Sequence, residues 1–322
     1  MTTFSTARPR ADLDVLSESF SFKDQQFVAD HLFPAYETDE RSAEFDKLII
    51  GTNEELVAAA DQRRAAGSAF RESNHETRSD QYATREYGEQ HAVDLRQGAR
   101  NSRMIRKKEE TGSRMIYRRV LRGREQEVID ATVSNTTDFT AAKKNALTVS
   151  QTFAADSDIL GEIERAKDQF QENCGLLPNV ITIPREQRRV ISANTTFGNQ
   201  YGDDRTRPGN LTAEMIAEII DIPGVYFPFV SYNGKPQGQA ALMRNLWPAN
   251  KIFMAYVDPA ASIEEVQLGR TIFNIDGESC GSGRFGSFMS DNRHSMVIWY
   301  GQDRKTKLLN ENCGLVLTTT AA

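Results

Sequence analysis

Residues 53–95 form a long polar segment that cannot build a hydrophobic core of its own. Arginines and acids run through the segment, and the large side chains that it could bury include Phe70, Tyr82 and Tyr87. From residue 79 onward polar and apolar residues alternate in places, which is typical of β-strands. An isolated two-stranded ribbon is only marginally stable in water. Such a segment is therefore either disordered or packed on a neighbour.

The rest of the chain predicts several structural units rather than one globule. Its 322 residues are 39% hydrophobic, with a mean hydropathy of −0.54, which is long and polar for a single well-buried core. Residues 1–44 show no sustained apolar period and predict an extended arm. Helical and strand patterns alternate between residues 156 and 257, where we place the main core. They predict one helix after residue 156 that ends at Gly175, a second that is capped by Thr212, and strands at 179–183 and 251–257. Short strands return at 295–300, 306–309 and 314–319.

Residues 103–135 predict a long helix that is strongly basic in its first half. Apolar residues recur there at helical spacing, while Gly112 and Gly123 each weaken a helix by about 1 kcal/mol and predict a bend or an interruption. Residues 96–124 contain eleven basic residues against two acids. Such a face either contacts phosphates, or pairs with an acidic neighbour, or is simply solvated.

The overall charge does not favour a dedicated nucleic-acid-binding protein. The formal net charge is −6 and the isoelectric point is about 5.5, whereas nucleic-acid-binding domains are usually basic. Residues 1–46 carry ten acids against four bases, so an acidic leader precedes the basic helix. No apolar stretch reaches the roughly 20 residues of a membrane span, and no secretory signal is recognisable at the start.

The cysteines predict free thiols in a reducing compartment. Cys174, Cys280 and Cys313 are odd in number, far apart in the sequence, and form no CxxC pair. A disulfide framework is the less favoured alternative.

No motif for catalysis, metal binding or cofactor binding stands out. The four histidines form no HExxH motif, and no phosphate-binding P-loop is present. Residues 281–286 match GxGxxG, but the residues that follow make a poor helix, so we interpret the match as a flexible loop. We predict no enzyme, no catalytic residue, no metal and no cofactor.

The order of the parts, rather than any single motif, resembles a known family. The motifs are Tyr82-Ala-Thr-Arg-Glu-Tyr87 before Val93, Leu121-Arg-Gly-Arg-Glu125 before Val128 and Val133-Ser-Asn135, Gly175-Leu-Leu-Pro-Asn179 within 156–183, Leu211-Thr-Ala-Glu214, Leu246-Trp-Pro248 and Leu268-Gly-Arg-Thr271. In this order they resemble the major capsid proteins of tailed bacteriophages with the Hong Kong 97 fold. The resemblance covers residues 30–318, with departures at Phe153 and Ile159, where relatives carry tryptophan and Asp-Pro.

The resemblance implies an α+β Hong Kong 97-like capsid fold and a division of the chain. The expected parts are an N-terminal arm (1–44), an extended β-ribbon loop (45–95), a spine helix with a peripheral domain (96–145, completed by 288–322) and an axial α/β domain (146–287). It implies a structural protein that assembles into pentamers and hexamers of an icosahedral shell around a double-stranded DNA genome. The implied location is the virion, and the host cytoplasm during assembly.

The resemblance also implies roles for particular side chains. We expect contacts between subunits in the extended loop, from Arg63, Arg64, Arg71, Arg78, Tyr82 and Tyr87. We expect sequence-independent contacts with packaged DNA on the inner face of the spine helix, from Arg103, Arg106, Lys107, Arg114 and Arg118.

The expected partners are other copies of the chain, a portal, a decoration protein, and a separate scaffolding protein, because residues 1–30 are too short for a fused scaffold. No membrane partner is expected. Three other functions remain open at this point: an encapsulin-type nanocompartment shell, a cytosolic nucleic-acid-associated α/β protein, and an unrecognised hydrolase.

Overall fold

The computed structural model describes residues 8–18, 20, 26–48, 77–95, 102–154, 156–200, 211–235, 238–276, 282–290 and 295–319. The helices are α1 (Ala11–Glu18), α2 (Ala29–Leu32), α3 (Ser102–Ala131), α4 (Ile159–Cys174), α5 (Arg185–Ala193), α6 (Thr195–Gln200) and α7 (Ala213–Ile220). The strands are β1 (Arg8–Pro9), β2 (Ala35–Thr38), β3 (Ser42–Leu48), β4 (Thr77–Ala83), β5 (Arg85–Asp94), β6 (Ala146–Thr148), β7 (Val180–Thr182), β8 (Gly224–Tyr226), β9 (Ser231–Asn233), β10 (Met243–Asn245), β11 (Lys251–Ala255), β12 (Gly269–Asn274), β13 (Arg284–Ser290), β14 (Ser295–Leu308) and β15 (Gly314–Thr318).

The first sheet is built around the long strand β14. Its strand order is β1-β13-β14-β12-β2, and β5 pairs with β14 along the side opposite to β12 and β13. Helices α1 and α3 pack on this sheet, where Leu13, Ile116, Val120, Phe285 and Ile298 share one buried cluster. Ile116 and Val120 of α3 are four residues apart, about one helical turn, so both lie on the face of the helix that packs on the sheet.

Helix α3 runs without interruption through both of its glycines. A side chain at Gly112 would collide with the ring of His91 on β5. Gly112 therefore lets the helix approach the sheet closely. The prediction of an interruption at the glycines is wrong, because the packing of the helix on the sheet outweighs the weak helix propensity of glycine.

The second sheet contains the main hydrophobic core. Its strand order is β6-β15-β11-β7-β8, and α4 and α7 pack against it. Helix α4 ends as its sequence predicts, with Gly175 in the left-handed conformation at φ 74°, and the Thr212 side chain caps α7 by accepting from the Met215 N–H. This confirms the core predicted between residues 156 and 257.

A separate two-stranded ribbon lies beside the first sheet. Strands β3 and β4 pair antiparallel from Ser42↔Ala83 to Leu48↔Thr77. Only Phe45 and Tyr82 of the ribbon are buried, and they pack against Ile272 and Leu309 at its base. The described part of the polar segment therefore forms two strands, as its alternation predicted: β4 belongs to the ribbon, and β5 belongs to the first sheet.

Several boundaries differ from those predicted. The arm was expected to extend to residue 44, but Val28, Leu32 and Phe33 are fully buried in the main core, and β2 is a strand of the first sheet that runs parallel to β12. Strand β15, expected with the peripheral part, lies in the second sheet between β6 and β11. Sequence order alone could not show these pairings, because each joins segments that are far apart in the chain.

The strand content near the end of the chain also differs. Strand β14 is one continuous strand, where two short ones were predicted. The last part of the GxGxxG match belongs to β13 rather than to a flexible loop, and a Cβ at Gly286 would collide with the ring of Trp299. The close approach of the Trp299 ring requires a glycine at position 286, so side-chain packing explains this glycine.

Candidate assembly and DNA-contact surfaces

The base of the ribbon is held to the first sheet by one carboxylate between two lysines. Asp80 of β4 accepts from Lys47 Nζ of β3 at 3.1 Å and from Lys307 Nζ of β14 at 2.7 Å. Lys47 also donates to the Leu309 carbonyl at 2.8 Å. Burial by itself would raise the pKa of Asp80, but the hydrogen bonds from Lys307, the Gln81 N–H and Lys47 outweigh it and hold that pKa below its usual value. These contacts fix where the ribbon leaves the sheet.

The predicted contact residues of the extended loop fall into three groups. Arg63, Arg64 and Arg71 lie outside the described residues. Arg78 is exposed on β4 and has no ion-pair partner among the residues that the structure describes; its cross-strand neighbour is Lys47. An exposed arginine beside a lysine is available to an acidic neighbour.

The two predicted tyrosines are used mainly within the chain. Tyr82 is 7% exposed in the cluster at the ribbon base, and its hydroxyl lies 3.4 Å from Oγ1 of Thr38. Tyr87 is half-buried, with the Arg304 guanidinium 4.6 Å from its ring centre. Tyr82 therefore leaves little surface for a neighbouring subunit, and Tyr87 leaves only part of its ring.

The basic residues of α3 form one face of the helix. Arg103, Lys107, Arg114 and Arg118 are spaced by four, seven and four residues, which places them on one side, and Arg106 flanks them. All are exposed except Arg118, which is half-buried. The Arg114 guanidinium lies 5.1 Å from the ring centre of Phe20, so one of these cations also stabilises the N-terminal segment. The opposite side of α3 packs on the first sheet.

The second half of α3 joins the N-terminal segment to both sheets. Arg124 pairs with Asp30 at 2.5 Å, and Glu127 accepts from Arg304 at 3.0 Å. Glu125 accepts from the Trp247 indole N–H at 2.7 Å and from the Ala29 N–H at 3.0 Å. These contacts, whose partners the sequence did not indicate, hold α3 in place.

Glu125 is a buried carboxyl whose surroundings favour its neutral form. Burial raises its pKa to about 7, against the opposing effect of the hydrogen bonds from Trp247, Val28 and Ala29. A carboxyl is needed here because several N–H groups converge on it. The sequence signal was weak, since Glu125 sits in a run of charged residues and nothing in its spacing marks it as buried.

No cluster of three or more His, Cys, Asp or Glu side chains in the described part of the chain could hold a metal ion. Among the helices that the structure describes, none is long and apolar enough to cross a membrane. The features that the described residues do offer are surfaces: a polar two-stranded ribbon and a basic helix face.

The fold is that of phage capsid structures. The chain is similar to a phage-related protein from Bordetella bronchiseptica, with 13% identity, 98% of each chain covered and a TM-score of 0.68. It is similar to the capsid of cyanophage P-SCSP1u, with 10% identity, 94% of this chain and 91% of that chain covered, and a TM-score of 0.53. It is also similar to a chain of Microbacterium phage Oxtober96, with 13% identity, coverage of 99% and 100%, and a TM-score of 0.55. No protein-family model matches the chain, and no curated protein matches its sequence.

These likenesses extend over nearly the whole chain, so they define the class of fold. The chain has the Hong Kong 97-like fold of phage capsid proteins. The resemblance inferred from the order of sequence motifs is therefore confirmed at the level of the fold.

Proposed function

We propose that this chain is the major capsid protein of a tailed bacteriophage, and that its copies form the pentamers and hexamers of an icosahedral shell around double-stranded DNA. The observation that carries the proposal is the end-to-end likeness to phage capsid structures. A structural role follows, and no catalytic step is assigned to the chain.

The low burial of the ribbon supports assembly with other copies. Apart from Phe45 and Tyr82 its side chains are exposed or half-buried, so the ribbon gains little burial within its own chain. Obligate interfaces bury on the order of 2,000–5,000 Å², enough to offset the cost of ordering such an element. Neighbouring copies would supply that area, while Asp80 and its two lysines set the direction in which the ribbon leaves each subunit.

The basic face of α3 supports contact with packaged DNA. Arg103, Lys107 and Arg114 are exposed on one side of a helix whose other side is covered by the first sheet. Contacts of this kind neutralise phosphates without reading bases, so they depend on salt and not on sequence. We further propose a separate scaffolding protein and a portal as assembly partners.

Electron microscopy tests the shell. The full chain, expressed alone and with the neighbouring genes of its locus, is expected to elute as megadalton particles that appear as closed shells in negative stain. A monomer in every co-expression would overturn the proposal. Shells that enclose a cargo enzyme and no DNA would identify a nanocompartment instead.

Charge reversal tests the predicted loop contacts. Replacing Arg63 and Arg64 together with glutamate is expected to reduce shell yield, because the new charges would repel acidic neighbours. The matched control reverses Lys144 and Arg189, which are exposed outside the ribbon. Equal yields from both variants would remove Arg63 and Arg64 from the interface.

Neutralisation tests the DNA contact. In the triple variant Arg103→Gln, Lys107→Gln, Arg114→Gln, non-specific DNA binding should weaken, and the slope of log affinity against log salt should fall by about 0.9 for each phosphate that the protein no longer neutralises. The control neutralises Lys144, Arg189 and Arg284, which are exposed elsewhere. If the salt dependence of DNA binding is unchanged in the triple variant, the basic face of α3 would be assigned to contacts between proteins.

A further inference from the structure

Two cysteines that are 139 residues apart in the chain meet inside the main core. The Sγ atoms of Cys174 and Cys313 lie 3.3 Å apart, and both side chains are fully buried. Cys174 is the last residue of α4, and Cys313 ends the 3-10 helix Glu311–Cys313 that leads into β15. The sequence predicted separate thiols, because nothing in the spacing of these residues marks them as neighbours.

The surroundings of the pair distinguish the two sulfurs. A hydrogen bond joins the two sulfurs, and the Leu176 N–H also donates to the Cys174 sulfur; together they hold the pKa of Cys174 below its usual value. The hydrogen bond with Cys174, together with burial, raises the pKa of Cys313. Cys174 is therefore the sulfur that forms a thiolate first, and thiolate is the nucleophile in thiol–disulfide exchange.

We propose that Cys174 and Cys313 form a disulfide bond within one subunit when the protein meets a disulfide oxidant of the glutathione class. The Cys174 thiolate attacks one sulfur of oxidised glutathione and displaces glutathione thiolate. The Cys313 thiolate then attacks the Cys174 sulfur of the mixed disulfide and releases the second glutathione thiolate. The cysteines lose two protons and two electrons, and the oxidant gains the two electrons as two reduced glutathione molecules.

The bond would connect α4 to the start of β15 across the main core. The Tyr256 N–H donates to the Cys313 carbonyl at 3.0 Å, so the 3-10 helix is also held by the segment after β11. Because both thiols are buried, the oxidant reaches them only when this region opens locally. Oxidation is therefore slow compared with that of an exposed thiol, and its rate reports the opening of the core beside β15.

Where and when the disulfide bond forms rests on the proposed function. The host cytoplasm keeps thiols reduced, and a particle released by lysis enters an oxidising environment. The subunit would thus assemble with free thiols and acquire the bond afterwards. The chemistry itself needs only the folded chain, so its test is separate from the test of shell formation.

Peptide mapping under non-reducing conditions tests the bond. The purified full chain, incubated with oxidised glutathione, is then denatured, alkylated and digested without reductant. We expect a linked peptide pair joining Cys174 to Cys313, lighter than the two reduced peptides by two hydrogen atoms and separated again on reduction. Full alkylation of both cysteines after prolonged oxidation, or links through Cys280 alone, would overturn the proposal.

Matched variants separate the bond from general effects of oxidation. Cys280→Ser should still form the linked pair, whereas Cys313→Ala should not. In the wild type and in Cys280→Ser, oxidation should raise the thermal unfolding midpoint on the order of 5 °C, because the bond closes a long loop. A similar rise in Cys313→Ala would contradict the assignment, and if that variant fails to fold, Cys174→Ser takes its place in the same comparison.

Discussion

The two sheets bury their interiors in different ways. Around the second sheet the core is almost entirely apolar, and Phe170, Ile181, Phe253 and Leu315 are fully buried there. The first sheet also buries charged side chains: Arg270, Asp303 and Arg304 are each 1% exposed. Apolar burial is non-directional and needs only the right pattern and volume. Buried charge needs partners in fixed positions.

This difference separates the roles of the two regions. The second sheet carries the larger apolar core. The first sheet carries the ribbon, the basic helix and β5, so it presents the surfaces proposed for assembly while relying on polar contacts to hold them. Such polar contacts also hold together segments that are far apart in the sequence. Asp80 of β4, for example, accepts a hydrogen bond from Lys307 of β14.

The largest expected effect tests the apolar core. Phe253→Ala should lower the free energy of unfolding by roughly 3–5 kcal/mol, because a fully buried ring that packs edge-to-face on Phe139 is replaced by a cavity. The matched control is Leu177→Ala, at a residue that is 56% exposed, for which a change within about 0.5 kcal/mol is expected. Denaturant unfolding monitored by circular dichroism measures both, and equal losses of stability would abolish the contrast between core and surface.

The next effect tests the buried charge of the first sheet. Glu127→Ala should cost roughly 3 kcal/mol, because it leaves the buried guanidinium of Arg304 without its carboxylate. Adding Arg304→Met to this variant should recover part of the stability, since the unpaired charge is then removed. Denaturation of the two single variants and the double variant measures the coupling. Additive effects would show that the pair does not act as a unit.

The pH dependence of stability tests Glu125, which connects α3 to Trp247 and to the N-terminal segment. Because burial raises the pKa of Glu125 from 4.5 to about 7, the folded protein keeps a proton that the unfolded chain loses between these values. Stability should therefore fall as pH rises from the unfolded pKa through the folded pKa, by on the order of 3 kcal/mol in total, and level off about one pH unit above the folded pKa.

The control for this dependence is Glu125→Gln, which cannot ionise. Its stability should be lower, since the amide nitrogen would face N–H donors, but flatter across the same pH window. Thermal unfolding midpoints at matched ionic strength measure both proteins. Identical slopes in the wild type and the variant would assign the dependence to another group.

The smallest effect tests the ribbon base. Asp80→Asn removes the charge between Lys47 and Lys307, but all three side chains are partly exposed, so stability should fall by at most about 1 kcal/mol. The position of the ribbon should be more sensitive than the fold. Proteolysis within residues 49–76 is expected to accelerate while the unfolding midpoint changes little; a large drop in the midpoint would show that the carboxylate supports the sheet as a whole.

The sequence by itself determined the parts whose signal is local. Apolar periodicity identified α3, α4 and α7 and the strands around residues 180 and 251–255, and Thr212 and Gly175 marked helix ends. The basic residues at helical spacing identified one face of α3. The scarcity of apolar residues after residue 53 indicated a ribbon, and the order of these parts was enough to indicate the fold.

Only the tertiary structure decided which distant residues meet. It placed the segment from Val28 to Phe33 in the core, moved β15 to the second sheet, and brought Glu125 to Trp247 and Cys174 to Cys313. Local patterns arise from the periodicity of helix and strand, which each segment carries in its own residues. Long-range contacts depend on chain topology and on the balance of burial and charge at one point in space, and no single segment carries that information.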